Sequence, residues 1–422
     1  MLLEKTDRFW KNGLIGTSKP SRKLYMFLLL ILFGITGCSN APPTETQTVT
    51  NSDVVILEQS NNENVDAIAE IYCQIYENVL ETNELGSLEM LRCIVEQLGN
   101  AGYVAVDSGN QIDMTGADQV LLFCDQVDAK ERAELTIIAV SYSGGYTKYE
   151  LKTEEGSVEV TQKYFAYQNG QFVNKSAGSY LAEVWQYTDE GYLLFGGSWY
   201  LDTLYVLTLS DVEEHVALRV QPLDEKCREL NRQYIHPVGY SMNNMFITDW
   251  SEDDFGELDF YDLFDVFYQI MNNQYIPFAA DDNLGIGAVY RIPKADFETS
   301  IMPYFNIDSD TLQSKVTYFS EDETYQYKPR GFYEIEYPDI PYSEVVNYME
   351  NNNGTITLTV NAVYPHGSTS KLFAHEVVVR LFGDGSFQYV SNQVITPADE
   401  YSLWWHSDRL TDEQWEDIYG GE

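Results

Sequence analysis

The stretch NNNGTITLTVNAVYPHGSTSKLFAHEVVVRLFGDGSFQYVSNQVI, residues 351–395, decides the fold class predicted for the second half of this chain. Its threonine, valine, isoleucine and aromatic residues form runs of strand composition. NNNG, PHGSTS and GDG separate these runs, and each has the composition of a tight turn. The pattern therefore predicts three hairpin turns in an antiparallel segment at residues 324–395.

Helices are predicted on both sides of that segment. From Ser251 the chain runs through DDFGELDFYDLFDVFYQIM, where large apolar residues recur at helical spacing. A short helix is expected after Pro293, and another near Thr411 with Asp412 in its first turn. The apolar residues of the first pattern are Leu258, Tyr261, Phe264, Phe267, Tyr268 and Met271.

The first half of the chain repeats this order of helices followed by strands. Amphipathic periodicity predicts helices at residues 65–80, 88–98 and 117–127. Ser87 is the expected N-cap of the second helix, and Gly99 is expected to end it. Strand-like runs are predicted at residues 103–106, 136–143, 146–153, 157–167, 179–188, 192–200 and 203–210.

This order predicts an α+β fold, with helices followed by an antiparallel β-meander, in two consecutive domains. The chain is too long for one small core, and Pro222 lies where the patterns of the two halves meet. We therefore expect a signal peptide at 1–37, a disordered tether at 38–63, an N-terminal domain at 64–222 and a C-terminal domain at 223–422. The tether is rich in Thr, Pro, Asn and Gln and too poor in apolar residues to fold.

The predicted signal peptide has the features of a secretory leader. Lys19, Arg22 and Lys23 precede an apolar run of 12 residues, from 24 to 35. That run is shorter than the roughly 20 residues of a membrane-spanning helix. Its end, ITGC at residues 35–38, resembles the lipobox of bacterial lipoproteins. The resemblance implies cleavage before Cys38, diacylglycerol on its thiol and an acyl chain such as palmitate on its amine. An ordinary signal peptide with a chance cysteine is the alternative.

The charge of the chain limits its partners. The total formal charge is −41, and the leader holds six basic and two acidic residues, so the chain from Cys38 onward carries −45. Such a surface repels the phosphates of nucleic acids, and it also repels anionic lipid headgroups. We therefore expect no nucleic-acid partner, and contact with the membrane only through the lipid anchor at Cys38.

No cofactor, metal or catalytic site is predicted. The histidines are isolated in sequence and lack the spacing of a zinc motif. The 64 acidic residues that remain after the two of the leader are too numerous to single out a glycosidase pair. Clusters at 252–254, 281–283 and 308–310 lack the spacing of an EF-hand. The five histidines are His215, His236, His366, His375 and His406.

The cysteines after Cys38 do not form a disulfide framework. Cys73, Cys93, Cys124 and Cys227 have no CxxC spacing and lie in apolar patterns, so buried thiols are expected. Because Cys73 and Cys93 lie on successive predicted helices, a bridge between them is the alternative.

Aromatic residues are the remaining unusual feature, with 32 tyrosines and 7 tryptophans. Most are expected in the core, where half-buried strands use tyrosine readily. Trp404 and Trp405 are adjacent in a segment predicted to be extended, so their side chains should point in opposite directions. One of the two is therefore expected at the surface, where it could stack on a ligand.

Several stretches resemble those of an uncharacterised lipoprotein family from anaerobic Gram-positive bacteria. They are AVDSGNQIDMT, WSEDDFGELDFYD, RIPKADFETSIMPYF, NGTITLTVNAVYP and HEVVVRLFGDGSFQYVSNQVI. The resemblance covers nearly the whole chain after the leader. It implies a location on the outer face of the cytoplasmic membrane and assigns no activity.

Two functions are consistent with these features. The first is a surface lipoprotein that binds an extracellular ligand or envelope partner without catalysis. The second is a hydrolase of carbohydrate or cell wall that uses an unidentified carboxylate pair. A pocket with two carboxyl groups roughly 5 to 9 Å apart beside exposed aromatics would favour the hydrolase.

The lipobox can be tested by Cys38→Ala. Without the thiol there is no atom for the thioether, so the variant should remain uncleaved and lack diacylglycerol. Mass spectrometry and partitioning into detergent would measure both. A diacylglycerol-sized mass on the variant would contradict the lipobox.

Overall fold

The computed structural model describes residues 68–72, 75, 86–168, 171–199, 212–280, 287–336, 338–397 and 405–420. Residues 71–422 form one compact unit. The leader, Cys38, the tether, Cys73 and Trp404 lie outside the described residues, so the expectations for them stay predictions. Of the helices in the described ranges, none has the length and apolar composition needed to cross a membrane.

The fold is α+β, as predicted, and its first sheet has five strands in the order β1-β2-β3-β4-β5. Neighbours from β2 to β5 are antiparallel, whereas β1 is parallel to β2 because helix α2 carries the chain back to the starting edge. The parallel pair was not predicted. The elements are α1 (Leu88–Asn100), β1 (Val104–Asp107), α2 (Ala117–Asp128), β2 (Ala133–Val140), β3 (Tyr146–Glu154), β4 (Ser157–Gln168) and β5 (Gln171–Leu181).

Helix α1 begins where the sequence predicts it and ends later. The Ser87 Oγ accepts a hydrogen bond from the Met90 amide at 3.2 Å, which confirms the N-cap. Gly99 lies inside the helix, so the prediction that it ends the helix was wrong. The chain turns instead at Gly102, whose φ of +91° suits a residue without a side chain.

A second, three-stranded antiparallel sheet follows in the order β6-β7-β8. Its strands are β6 (Val184–Tyr187), β7 (Tyr192–Trp199) and β8 (Val212–Arg219). The predicted run at 179–188 is divided between β5 and β6, and the run predicted at 203–210 lies outside the described residues.

Helices and a small sheet come next along the chain. The first long helix of this region starts at Phe260 rather than near Ser251, because the Asp259 carboxylate caps the amides of Tyr261 and Asp262. The elements are α3 (Glu225–Leu230), a π-helical turn (Asn231–Ile235), β9 (Trp250–Ser251), α4 (Phe260–Asn272), β10 (Tyr290–Pro293), α5 (Lys294–Ile301), α6 (Ser309–Lys315), β11 (Tyr318–Phe319) and β12 (Thr324–Tyr327).

The last sheet confirms the three predicted hairpins. Its order is β13-β14-β15-β16-β9, so the short strand β9 pairs with the edge of β16 from far away in sequence. Helix α7 (Asp412–Tyr419) ends the described chain, with Thr411 as its N-cap. The strands are β13 (Tyr342–Glu350), β14 (Thr355–Tyr364), β15 (Thr369–Leu381) and β16 (Phe387–Thr396).

A buried ion pair links segments on either side of residue 222. The Arg219 guanidinium donates to a Glu344 oxygen at 2.6 Å, and the Tyr192 hydroxyl donates to the other at 2.7 Å. Around them Leu194, Ala217 and Val363 belong to a small apolar cluster that includes Tyr192. The predicted boundary therefore falls inside the compact unit of residues 71–422, and the division into two domains stays a prediction.

Trp405 is a core residue. Its side chain is fully buried, and its ring is almost parallel to that of Phe373, with centroids 6.3 Å apart and 5° between the planes. The Tyr240 ring packs against it edge-on at 6.4 Å. This tryptophan therefore cannot be the exposed member of the predicted pair.

Trp405→Ala should lower the free energy of unfolding by ~3 to 5 kcal/mol, because it removes a fully buried aromatic side chain. Chemical denaturation would measure the change. Phe382, which is 42% exposed in a turn, gives a control whose replacement by alanine should change stability by about 0.5 kcal/mol or less. Equal effects of the two substitutions would contradict the core role of Trp405.

Candidate functional site

A groove of about 330 Å³ lies between helix α7 and the segment that follows β12. It is large enough for a small ligand or for part of a polymer. A second cavity, near Glu344, has a volume of about 10 Å³, which is room for one water at most. The described residues that line the groove are Ala280, Gly287, Ala288, Pro329, Arg330, Gly331, Phe332, Ile335, Trp415 and Tyr419.

Large apolar side chains are exposed at the groove. Phe332, Tyr333 and Ile335 lie within four consecutive residues and are 57%, 59% and 56% exposed. Phe332 and Tyr333 belong to a short 3₁₀ helix, Phe332–Glu334. Exposed apolar groups clustered in this way are typical of binding surfaces.

The loop that carries Phe332 is held by a buried carboxylate. Glu334 is 3% exposed, and its two oxygens accept hydrogen bonds from the amides of Gly331 at 2.8 Å and Leu410 at 2.9 Å. Gly331 has no room for a side chain, because a Cβ there would lie 2.2 Å from the Tyr419 hydroxyl. The wall of the groove is thus fixed to the segment that leads into α7.

A buried charge network lies beneath the groove. The Asp262 carboxylate, 2% exposed, accepts from Arg330 at 3.1 and 2.9 Å and from Arg409 at 2.9 Å. Arg409 also donates to Asp265 at 2.7 Å. Burial raises the pKa of the Asp265 carboxyl to about 6, although Arg409 and the Tyr327 hydroxyl act in the opposite direction. Arg330, the arginine that lines the groove, is therefore already paired with the buried Asp262 carboxylate.

Helix α7 forms the opposite wall. The Lys328 ammonium donates to Asp412 at 2.7 Å and lies 4.3 Å from the centre of the Trp415 ring, a distance suited to a cation–π contact. The Trp415 and Tyr419 rings pack with centroids 5.6 Å apart. These contacts position two aromatic rings at the groove.

The lining of this groove is mainly aromatic and apolar. Among its described lining residues there is no aspartate or glutamate. Aromatic faces with few polar groups can instead stack on the apolar face of a sugar ring or on a peptide side chain. The groove depends on tertiary contacts that periodicity in the sequence does not show.

The histidines considered in the sequence analysis are not among the described residues that line the groove. His375 is buried between the Tyr240 hydroxyl and Asn392, and burial lowers the pKa of its imidazole to about 4, so it is a neutral core residue. His215 and His366 are brought together, with ring centroids 4.4 Å apart. The two histidines are far apart in sequence, so the sequence did not indicate that they would meet.

The described cysteines are free thiols, but the expected burial is found for only one of them. Cys227 is buried, whereas Cys93 and Cys124 are only partly buried. Burial raises the pKa of the Cys124 thiol to about 11, with help from nearby aspartates, so this thiol is protonated at neutral pH.

Comparison with known proteins identifies a family without an assigned activity. Residues 58–409 match the model of a family of unknown function, DUF6070. No curated protein and no solved structure matches the chain.

Asp262→Asn should lower the free energy of unfolding by about 3 to 5 kcal/mol, because it leaves two buried arginines without their shared carboxylate. Denaturant titration would measure this change. Glu229, in an exposed pair with Lys226, gives the control, and Glu229→Gln should cost about 0.5 kcal/mol or less. A cost for Asp262→Asn as small as that of the control would contradict a structural role of the network.

Proposed function

Because the chain belongs to DUF6070, a family of unknown function, we propose its function from its own residues. The protein is a lipid-anchored surface protein on the outer face of the bacterial cytoplasmic membrane, and it binds an extracellular ligand without catalysis. The observation that supports a binding role is the groove beside α7, whose other wall exposes Phe332.

The location is supported by the sequence of the leader. A basic patch, a 12-residue apolar run and ITGC at residues 35–38 are together typical of a lipoprotein signal. Residues 40–64 are polar and suit a tether that holds the folded region away from the membrane. The charge of −45 beyond the leader suits a chain that reaches the membrane through lipid rather than through a basic face.

The ligand is one that offers flat apolar faces, of which the sugar rings of an envelope polysaccharide are the best fit. Phe332 is 57% exposed with its ring edge-on to Tyr333, while Trp415 is held in place by Lys328 and by the largely buried Tyr419. A prearranged aromatic surface loses little conformational entropy on binding.

Purified peptidoglycan and soluble envelope polysaccharide are the probes for this proposal. Phe332→Ala and Trp415→Ala should each weaken binding by ~1 to 3 kcal/mol, roughly 5- to 150-fold in Kd. Co-sedimentation and isothermal titration calorimetry would measure the affinities, and circular dichroism would verify that each variant is folded.

Phe382→Ala is the matched control, since Phe382 is also an exposed phenylalanine and does not line the groove. It should bind as the unmodified protein does. Equal affinities of all three variants, or no saturable binding of either probe, would contradict the groove as a saccharide site. Release of reducing sugar during incubation would contradict a role without catalysis.

A further inference from the structure

Two histidines and a glutamate meet at a second place, on β8 and the β14–β15 turn. His215, His366 and Glu213 each place one potential ligand atom so that all three atoms lie within 4.8 Å of one another. A second carboxylate is near, because Asp339 lies 3.6 Å from the His366 Nδ1. The residues come from three separate segments of the chain.

The strand geometry explains why Glu213 and His215 act together. They are two residues apart on β8, so their side chains project from the same face. On the neighbouring strand β7, Gly196 stands opposite His215 and offers no side chain to fill the space beside the imidazole. The strand therefore presents a carboxylate and an imidazole side by side.

The turn between β14 and β15 supplies the second imidazole. His366 lies in the four-residue turn closed by a 2.8 Å hydrogen bond from the Ser368 amide to the Pro365 carbonyl. Gly367 is required there, because a Cβ would lie 2.4 Å from the Tyr364 ring. The turn is thus held in a shape that brings His366 to His215.

The His215 ring lacks hydrogen-bond partners in the described structure. Both of its nitrogens are shielded from solvent and neither makes a hydrogen bond, and Glu213 approaches Nε2 only to 3.6 Å. Polar nitrogens buried in this way cost free energy unless something binds them. The contact between the His215 and His366 imidazoles, with Glu213 and Asp339 nearby, is also too polar to be explained as apolar packing.

We infer that His215, His366 and Glu213 bind a divalent transition-metal ion of the zinc type. Imidazole nitrogen and carboxylate oxygen are the usual zinc ligands, at bond lengths of about 2.0 to 2.2 Å. In a tetrahedral site such ligands stand roughly 3.3 Å apart, so small side-chain rotations from the observed separations are sufficient.

Asp339 completes the arrangement. A histidine that binds a metal through one nitrogen commonly donates its other N–H to a carboxylate, which orients the ring. Asp339 lies beside the His366 Nδ1, so the metal would bind through Nε2. Three protein ligands leave a fourth position for water or an exogenous ligand. The ion would also join β8 to the β14–β15 turn.

The test uses the full chain without a histidine tag, first stripped with EDTA and then titrated with ZnCl₂ against a chromophoric chelator. One Zn²⁺ should bind per chain. His215→Gln and His366→Gln should each raise the Kd at least ~10-fold, since even changes outside the ligand set commonly cost that much. Glu213→Gln should act in the same direction.

His406→Gln is the matched control. His406 also lies near two carboxylates, Glu336 at 3.0 Å and Asp408 at 3.5 Å, but it is not part of the three-ligand cluster. This variant should keep the Zn²⁺ affinity of the unmodified chain, and so should Phe332→Ala, which separates the metal site from the saccharide groove.

Imidazole ¹⁵N NMR of the unmodified chain provides a readout that does not depend on how the variants fold. Zn²⁺ should shift the nitrogen resonances of two histidines and leave those of the other three in place. Unchanged affinity in both His215→Gln and His366→Gln, no shifted pair of resonances, or a Kd weaker than on the order of 1 mM would overturn the inference.

Discussion

The C-terminal part of the structure depends on the Asp262 carboxylate, which two arginines from different segments share. Arg330 follows β12 and Arg409 precedes α7, so a single buried anion on helix α4 connects three parts of the chain. Loss of the Asp262 carboxylate would leave the Arg330 guanidinium without its carboxylate partner inside the protein, a far larger cost than the loss of a surface pair. The wall of the aromatic groove is built on this network.

Buried arginines paired with carboxylates also occur elsewhere in the structure. The chain has 25 lysines and arginines against 66 acidic residues, yet the side chains of Arg219, Arg228, Arg330 and Arg409 are buried. Each lies within 4 Å of a carboxylate, and the pair of Arg219 with Glu344 joins segments more than a hundred residues apart. The scarce cations therefore specify which segments pack together, while the exposed acidic residues keep the surface hydrated.

Local features of this fold could be predicted from sequence, and long-range ones could not. The three hairpin turns, the Ser87 cap and the helix after Thr411 depend on neighbouring residues, so composition and spacing were enough. The parallel pairing of β1 with β2, the burial of Trp405 and the proximity of His215 to His366 depend on which distant segments meet. The start of α4 at Phe260 was not predicted, because apolar residues also occur before the true N-cap, Asp259.

Strand β9 imposes an order on folding. Its two residues pair with β16, and the amide of Val394 donates to Asp249, 145 residues earlier in the chain. Closure of so long a loop is slow, and the sheet cannot be completed until nearly all of the polypeptide has emerged. In a chain synthesised from its N-terminus, the Trp250 segment would thus remain unpaired until its partner strand is made. During that interval its apolar residues are open to chaperones and proteases.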